Sequence, residues 1–592
     1  FLHSTKGYSL FINSFYRIRA DIGRVSKGLR ITTAGPKADI YVFTGSVLEN
    51  MEEYTALTGK PLLPPAWVFE PWAGGGVGRW MDGPTHDVIQ EMEGVIRKFK
   101  NLDIPHSGLY AEGAGWKWED HYNKEEIYKI AAFTKQQKMR VFSWQFSHLD
   151  MEQAKELLPN CAEEDLPITR TPDYHGEKVL PCAIDFSHPR AEELLENQWH
   201  DRMDAGFDGT MVDFGEIIPD EAVFYDGRTG DEMHNAYALD YTKAYRKLFE
   251  KYKGEDHVLF SRSAAAGVQK YSCQFGGDQL SSFRGLTYAM NGGLTLAASG
   301  FPFWGVDAGG YSGFADEETY LRWTEFATFS PIMRFHGVTP REPWAYSRYA
   351  VSVYKFYAWL RENLLKYSVH TAEEAHKTGI PMMRPLPMVF PKDKEAVYWE
   401  DEYFYGSDLL AAPVHQEGEQ RRIYFPAGRW INLLDFRKMV GGNRILQVDV
   451  PIDKIPVYIR EGACILSVMN GELQLGQSMT YEKKNTVLMS RALNETSGKR
   501  YADGKEIEYN ILGQTGEDFF MLRHASETEF IVLLGFDRKP ESLELNGISL
   551  SEGASLNALN YGSGWYWRED TAVIVSVPKL EKTEIHVVYK EQ

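Results

Sequence analysis

The chain has 592 residues, a formal net charge of −19 and 43% hydrophobic residues, which is more length than one core holds and points to two to four domains. The acidic balance argues against nucleic acid or an anionic membrane as partner and for solubility. No apolar run approaches the ~18 residues needed to span a bilayer.

Residues 1–60 contain strand-like stretches, "YSLFIN" and "ADIYVFTG", and read as the C-terminal part of a β-domain. The chain opens without an initiator Met or a signal-peptide pattern, so it is expected to begin inside that domain, with upstream sequence missing. The proline-rich "GKPLLPPAW" then reads as a linker.

From residue 61 to about 380 short apolar segments alternate with amphipathic helical ones. "WVFEPW", "HSGLYAEG", "MRVFSWQF" and "DGTMVDFGE" each precede a helical pattern, and "HVLFSRS", "SCQFGGD", "FPFWGVDAGG" and "PIMRFHG" follow. This rhythm predicts an α/β fold, a (β/α)8 barrel whose chemistry sits at the C-terminal ends of its strands. Residues 381–475 and 476–592 return to turn-punctuated strand patterns and are expected to form a proximal and a distal all-β domain.

Carboxylates at strand ends dominate the polar pattern: Glu112, Asp213, Glu216, Asp278 and Asp307. Ends of barrel strands converge, so acids far apart in sequence can face one substrate. Glycoside hydrolysis needs two of them, one proton donor and one nucleophile or base. Against this stands the bland alternative that each acid is a solvated loop residue or a helix cap, the better account of any single Asp. Arg262, Arg334 and His336 add hydrogen-bond donors, against a buried ion pair for Arg334 and a satisfied core histidine for His336. Trp72, Trp116, Trp118, Trp144, Phe275, Trp304, Tyr311 and Trp344 lie nearby, at least half of them expected to be packing.

"PWAGGGVGRW" lacks the G-K-[ST] ending of a phosphate loop, no His/Cys/Asp cluster has zinc spacing, and G-x-S-x-G is absent. The four cysteines, Cys161, Cys182, Cys273 and Cys464, have no C-x-x-C spacing and read as reduced core thiols. "NET" at 494–496 fits a glycosylation sequon, a pattern common by chance.

Several long motifs in one order resemble glycoside hydrolase family 31, especially its α-xylosidase and sulfoquinovosidase branch. They are "GFDGTMVDFGEIIPDEAVFYDGRTGDEMHNAYALDY", "LFSRSAAAGVQKYSCQFGGDQ", "GGLTLAASGFPFWGVDAGGY" and "PIMRFHG" followed by "REPWAY", within a resemblance that covers about residues 50–470. It implies a catalytic barrel flanked by β-sandwich domains and retaining, exo-acting hydrolysis of terminal α-linked sugars, with no metal or other cofactor. It also implies that Asp213 is the nucleophile and Asp278 the general acid/base, with Arg262, Asp307, Arg334 and His336 in or supporting the sugar pocket. Asp213 must then be ionised and Asp278 must hold a proton, its pKa raised by burial and neighbouring negative charge. A retaining pair places the carboxyl groups roughly 5–5.5 Å apart.

Two positions bear on substrate. Met211 stands where α-glucosidases of the family carry Trp and the α-xylosidase branch tends to carry Lys, and Glu112 stands at or beside the place of a sugar-binding Asp. With Met211, Glu112, Phe275 and Trp304 as substrate-binding candidates, the sugar stays open among α-glucoside, α-xyloside and α-galactoside, with N-acetylgalactosaminide and sulfoquinovoside as alternatives. A transglycosylase using the same intermediate and a non-catalytic carbohydrate-binding barrel are further readings. The expected partner is a small oligosaccharide or glycoside; a homo-oligomer is compatible with the sequence, and the compartment is undecided with the cytoplasm slightly favoured.

Overall fold

The computed structural model describes residues 1–25, 27–74, 88–111, 124–169, 182–437, 439–502, 504–569 and 571–589. Its centre is a closed parallel barrel. Its strands are β1 (Trp72–Gly74), β2 (Gly108–Tyr110), β3 (Arg140–Phe146), β4 (Gly209–Asp213), β5 (Val258–Ser261), β6 (Cys273–Phe275), β7 (Trp304–Asp307) and β8 (Ile332–Arg334), with β8 pairing back to β1 through Arg334 and Trp72. β4 and β5 are buried at every residue, as strands covered on both faces must be.

The helices between the strands follow from local signals. Asp316 caps Glu317–Thr328 by accepting from the Thr319 N–H at 2.7 Å, and Ser282 caps Phe283–Ala298 through the Gly285 N–H at 3.1 Å. Tyr237, Tyr241 and Tyr245 form a buried stripe at helical spacing on Ala236–Lys253, which packs against β4 and β5. Gly206 ends Ala191–Ala205 in the left-handed region (φ 93°) and turns the chain into β4. Asp208 then pins the start of that strand. Its carboxylate accepts the Val141 N–H at 3.0 Å and pairs with Arg140 at 3.2 Å and Lys253 at 2.9 Å.

The N-terminal segment forms an antiparallel sheet of Leu2–Ser4, Tyr8–Asn13 and Asp39–Thr44 and a hairpin of Ile18–Ile22 with Leu29–Thr33. Beyond the barrel, a six-stranded sheet from Met383–Pro385 to Val457–Arg460 makes the proximal β-region. Buried Arg322 anchors it by donating to the carbonyls of Val450 and Lys454, both at 2.9 Å. A five-stranded and a six-stranded sheet enclose a distal core that includes Leu466, Ile511 and Phe520. Cys464–Met469, expected in the proximal domain, pairs with Lys484–Ser490 in that distal sheet. Its residues feed two cores, Ile465 and Met469 the large core shared with the barrel and Cys464 and Leu466 the distal one, and a boundary drawn at turns cannot reveal which sheet a strand joins.

All four cysteines are free. Cys273 and Cys464 are buried, whereas Cys161 and Cys182 are only half-buried, so the core-thiol reading fits two of the four. No helix among the described residues is long and apolar enough to cross a membrane.

Candidate active site

Asp213 is the last residue of β4, at the barrel's C-terminal mouth, and is 7% exposed. Three donors converge on its carboxylate. The Trp144 indole N–H reaches Oδ2 at 2.9 Å, the Phe214 backbone N–H reaches Oδ1 at 2.8 Å, and Arg262 Nη1 lies 3.3 Å from Oδ1. The Tyr241 hydroxyl, 3.2 Å from the carbonyl oxygens of both Asp213 and Gln145, ties the backbone here to β3.

The next residue carries strain. Phe214 has φ 60°, a conformation that costs an L-residue of order 1–3 kcal/mol and persists only where the surroundings fix it. They do so here. The Arg262 guanidinium lies 3.8 Å from the Phe214 ring centroid, and Phe146 meets that ring edge-on at 4.6 Å. Arg262 also pairs with Glu216 at 2.6 Å, so one guanidinium holds the nucleophile candidate, its neighbouring ring and a second acid.

Asp278 sits on the loop after β6 and is exposed at the mouth. Partial desolvation raises its pKa, Glu216 adds to the rise, and Arg262 and Arg334 oppose it. The Asp213 pKa is raised as well, chiefly by burial, with a contribution from Asp278, against Arg262, Trp144 and the Phe214 N–H. The two acids therefore sense each other. The direct donors to an ionised carboxylate gather on Asp213.

Beneath them, Asp307 ends β7 and forms a buried ion pair with Arg334 of β8, next to it in register. Desolvation lifts the Asp307 pKa to about 6 despite this partner. The Arg334 guanidinium lies 5.4 Å from the ring centroids of Tyr110, Phe260 and Phe275, which places Phe275 at the pocket's inner wall. Met211 points into the same interior, where its sulfur meets the Tyr110 hydroxyl at 3.4 Å. His336 is buried, edge-to-face with Tyr110 at 4.4 Å. Burial and the charges of Arg334 and Arg341 push its pKa well below the usual value, so it is neutral.

Asp213, Asp278, Arg262, Asp307, Arg334, His336, Phe275 and Met211 thus gather at one mouth. Trp304 does not. It is 1% exposed, and its ring packs against Gly293 on the outer helix Phe283–Ala298, where a Cβ on that glycine would come within 1.8 Å of it. Trp304 is a core residue between barrel and helix, not a substrate-binding one. Alternation along β7 turns Trp304 and Asp307 to opposite faces. Glu112, Trp116, Trp118 and most of the "GGGVGRWMDG" loop lie outside the described residues.

Sequence reasoning placed Trp144 among the mouth aromatics but missed that it holds Asp213, and it missed Tyr241 and Gln279 altogether. Both side-chain polar atoms of Gln279, next to Asp278, are buried without a hydrogen-bond partner among the described residues, as expected where a polar ligand completes the site. The register of β3 on β4, Phe146 opposite Asp213, brings Trp144 into reach, and only the folded barrel reveals it.

Comparison with known proteins agrees with this geometry. The chain is 27% identical to an isomaltosyltransferase of Sporosarcina globispora over 96% of its own length and 57% of the relative's. It is 28% identical to an alpha-xylosidase of Emericella nidulans over 78% of its length and 61% of the relative's. In fold it matches the cycloalternan-forming enzyme from Listeria monocytogenes, with TM-score 0.87 and 22% identity over 99% of this chain and 60% of that one. The chain therefore spans about three fifths of the length of these relatives. Residues 61–371 match the Glycosyl hydrolases family 31 TIM-barrel domain and residues 379–465 the Glycosyl hydrolase family 31 C-terminal domain, and the chain belongs to glycoside hydrolase family 31.

Proposed function

We propose that the chain is a retaining exo-α-glycosidase acting on terminal α-linked sugars, with Asp213 as nucleophile and Asp278 as general acid/base. The observation that carries this reading is the asymmetry of the two acids. Burial raises the pKa of both acids, but three direct donors that favour the ionised form converge on buried Asp213, while Asp278 lies exposed at the mouth where a leaving group can take its proton.

In the first step an Asp213 carboxylate oxygen bonds to the anomeric carbon. The glycosidic C–O bond breaks, its electron pair goes to the leaving oxygen, and that oxygen takes the Asp278 proton. In the second, Asp278 as carboxylate removes a proton from water, the water oxygen bonds to the anomeric carbon, and the Asp213 ester bond breaks. Arg334, Asp307 and neutral His336 line or support the sugar pocket, and Phe275 and Met211 shape its wall. Glu112 is assigned to the sugar's far hydroxyls.

Among sugars, α-glucosides come first, since the relatives matched over nearly the whole of this chain, 96% and 99%, are named for isomaltosyl transfer and cycloalternan formation, whereas an alpha-xylosidase is matched over 78%. The same names favour a second reading, transfer of the glycosyl group to another sugar's hydroxyl in place of water. Turnover of p-nitrophenyl α-glucoside, α-xyloside and α-galactoside, followed by product analysis with isomaltose present, tests both. Release only from β-glycosides would sink the proposal, and oligosaccharide products longer than the substrate select transfer.

A further inference from the structure

A cavity of about 680 Å3 lies where the helix Leu365–Thr378, the proximal sheet and the distal sheets meet. Its volume is typical of small-molecule sites, which favour domain junctions. It is far from the acids. Leu365–Thr378 packs on Ala66–Phe69, the turn preceding β1, so it lies at the N-terminal end of the barrel, opposite the mouth.

Most charged groups around this cavity have partners, and the lining cation Arg460 lies over the Phe390 ring, 5.3 Å from its centroid. On the floor, Arg500 pairs with Asp408 at 2.6 Å and donates to the Tyr509 hydroxyl at 3.2 Å. On the walls, Lys499 pairs with Glu506 at 2.7 Å, Glu374 pairs with Arg384, and the Lys377 ammonium sits 3.2 Å from the Tyr501 ring centroid. What remains is neutral or uncompensated hydrogen-bonding capacity. His370 is 2% exposed and lines the cavity. Its Nδ1 accepts the Tyr501 N–H at 3.0 Å, so the neutral ring carries its proton on Nε2, and that N–H has no partner among the described residues. Glu461 Oε2, a second lining group, accepts no hydrogen bond among the described residues, with Arg429 Nε 3.9 Å from it, and Ser497 offers a hydroxyl at the rim.

The ring N–H of buried His370 and a Glu461 oxygen that accepts no hydrogen bond among the described residues, in a lining that carries both signs of charge, suit a ligand that is uncharged and offers both acceptors and donors. We infer that this junction is a second carbohydrate-binding site, which takes a neutral oligosaccharide segment separate from the reacting end. The choice of sugar among neutral polyhydroxyl ligands rests on the α-glycosidase reading of the mouth.

The test uses the full chain with Asp213→Asn, which blocks turnover, and isomaltotriose as probe, with maltotriose and inorganic phosphate as comparison ligands. Calorimetry is expected to give two sites per chain. Hydrogen exchange is expected to show protection of residues 492–501 as well as of the strand ends at the mouth. Ser497→Trp, which plugs the rim, and His370→Phe, which keeps the ring and loses the donor, are expected to weaken the second site at least tenfold. In the otherwise wild-type chain, both should leave turnover of a small aryl α-glycoside unchanged. Protection at the mouth with none at 492–501 overturns the second site and leaves the catalytic reading standing. No protection at either place counts against both. Protection of 492–501 by phosphate and not by sugar overturns the assigned ligand class. If His370→Phe lowers the melting temperature, the rim variant alone decides.

Discussion

The two ends of the barrel use buried arginines in opposite ways. At the N-terminal end, Arg361 donates from all three guanidinium nitrogens: to the Phe69 carbonyl at 2.6 Å, to those of Ser330 at 2.7 Å and Thr328 at 3.0 Å, and to that of Pro331. Each of these hydrogen bonds closes the fold on itself. At the mouth, Arg262 and Arg334 face carboxylates, and each leaves Nε without a hydrogen-bond partner among the described residues. Strained Phe214 and unsatisfied Gln279 lie beside them. Arg361 is saturated by the fold around it and the two mouth arginines hold capacity in reserve, which is how a stable scaffold presents a reactive surface.

Substitutions at the two ends should therefore fail differently. The largest effect is expected at the acids. Asp278→Ala should lower kcat/KM by roughly 10²–10⁴-fold on a substrate with a poor leaving group, and Asp213→Ala at least as much on any substrate. Azide separates the roles. With an aryl α-glycoside, rescue of Asp278→Ala should yield the α-glycosyl azide and rescue of Asp213→Ala the β-anomer. The opposite pairing would exchange the assignments.

Arg361→Met should leave several carbonyls unsatisfied and cost about 3 kcal/mol of stability or more, read by denaturant unfolding, while any chain that still folds keeps its KM. Arg262→Met should show the converse, a loss of activity well beyond its loss of stability. Equal behaviour of the two variants would remove the contrast between the ends.

Trp144→Phe deletes one donor to a charged acceptor, worth about 1.5–3 kcal/mol, so kcat should fall roughly 10–100-fold. The sign of its pH effect follows from the bond. The indole N–H favours ionised Asp213, so its loss raises that pKa further and moves the acid limb of the pH–rate profile to higher pH. A fall in kcat with an unmoved acid limb would make Trp144 a packing residue only.

The smallest effect belongs to the proximal β-region. Glu402 is fully buried, its Oε1 accepts the Tyr424 N–H at 3.0 Å, and desolvation lifts its pKa to about 8. An unfolded Glu titrates near ~4.3, so the stability this carboxyl contributes is full below that value and is lost as pH rises through about 8. Glu402→Gln should therefore melt higher than the parent chain at pH 8–9 and differ little at pH 5. Equal melting curves at high pH would refute the assignment.

Much of this was readable along the chain. The βα rhythm gave the barrel because each strand is a short apolar run and each helix an amphipathic one. The position of Asp213 at a strand end followed from "GTMVD", and the nucleophile role proposed for it rests on the family resemblance. Trp304 was misread although its signal was present. Three residues separate it from Asp307, and an odd separation on a strand means opposite faces. The clamp from Trp144 was unreadable for the converse reason. It lies 69 residues from Asp213, and what joins them is the register of β3 on β4.

The sequence by itself determined the elements, their order and the residue types available for chemistry, because periodicity and strand-end placement are local properties. The tertiary structure decided which side chains meet: three donors on Asp213, an exposed Asp278, an inward Met211, an outward Trp304, and a cavity built from three separate parts of the chain. Those outcomes depend on barrel closure, strand register and domain docking. These bring distant residues within a few ångströms, where hydrogen bonds and charges act.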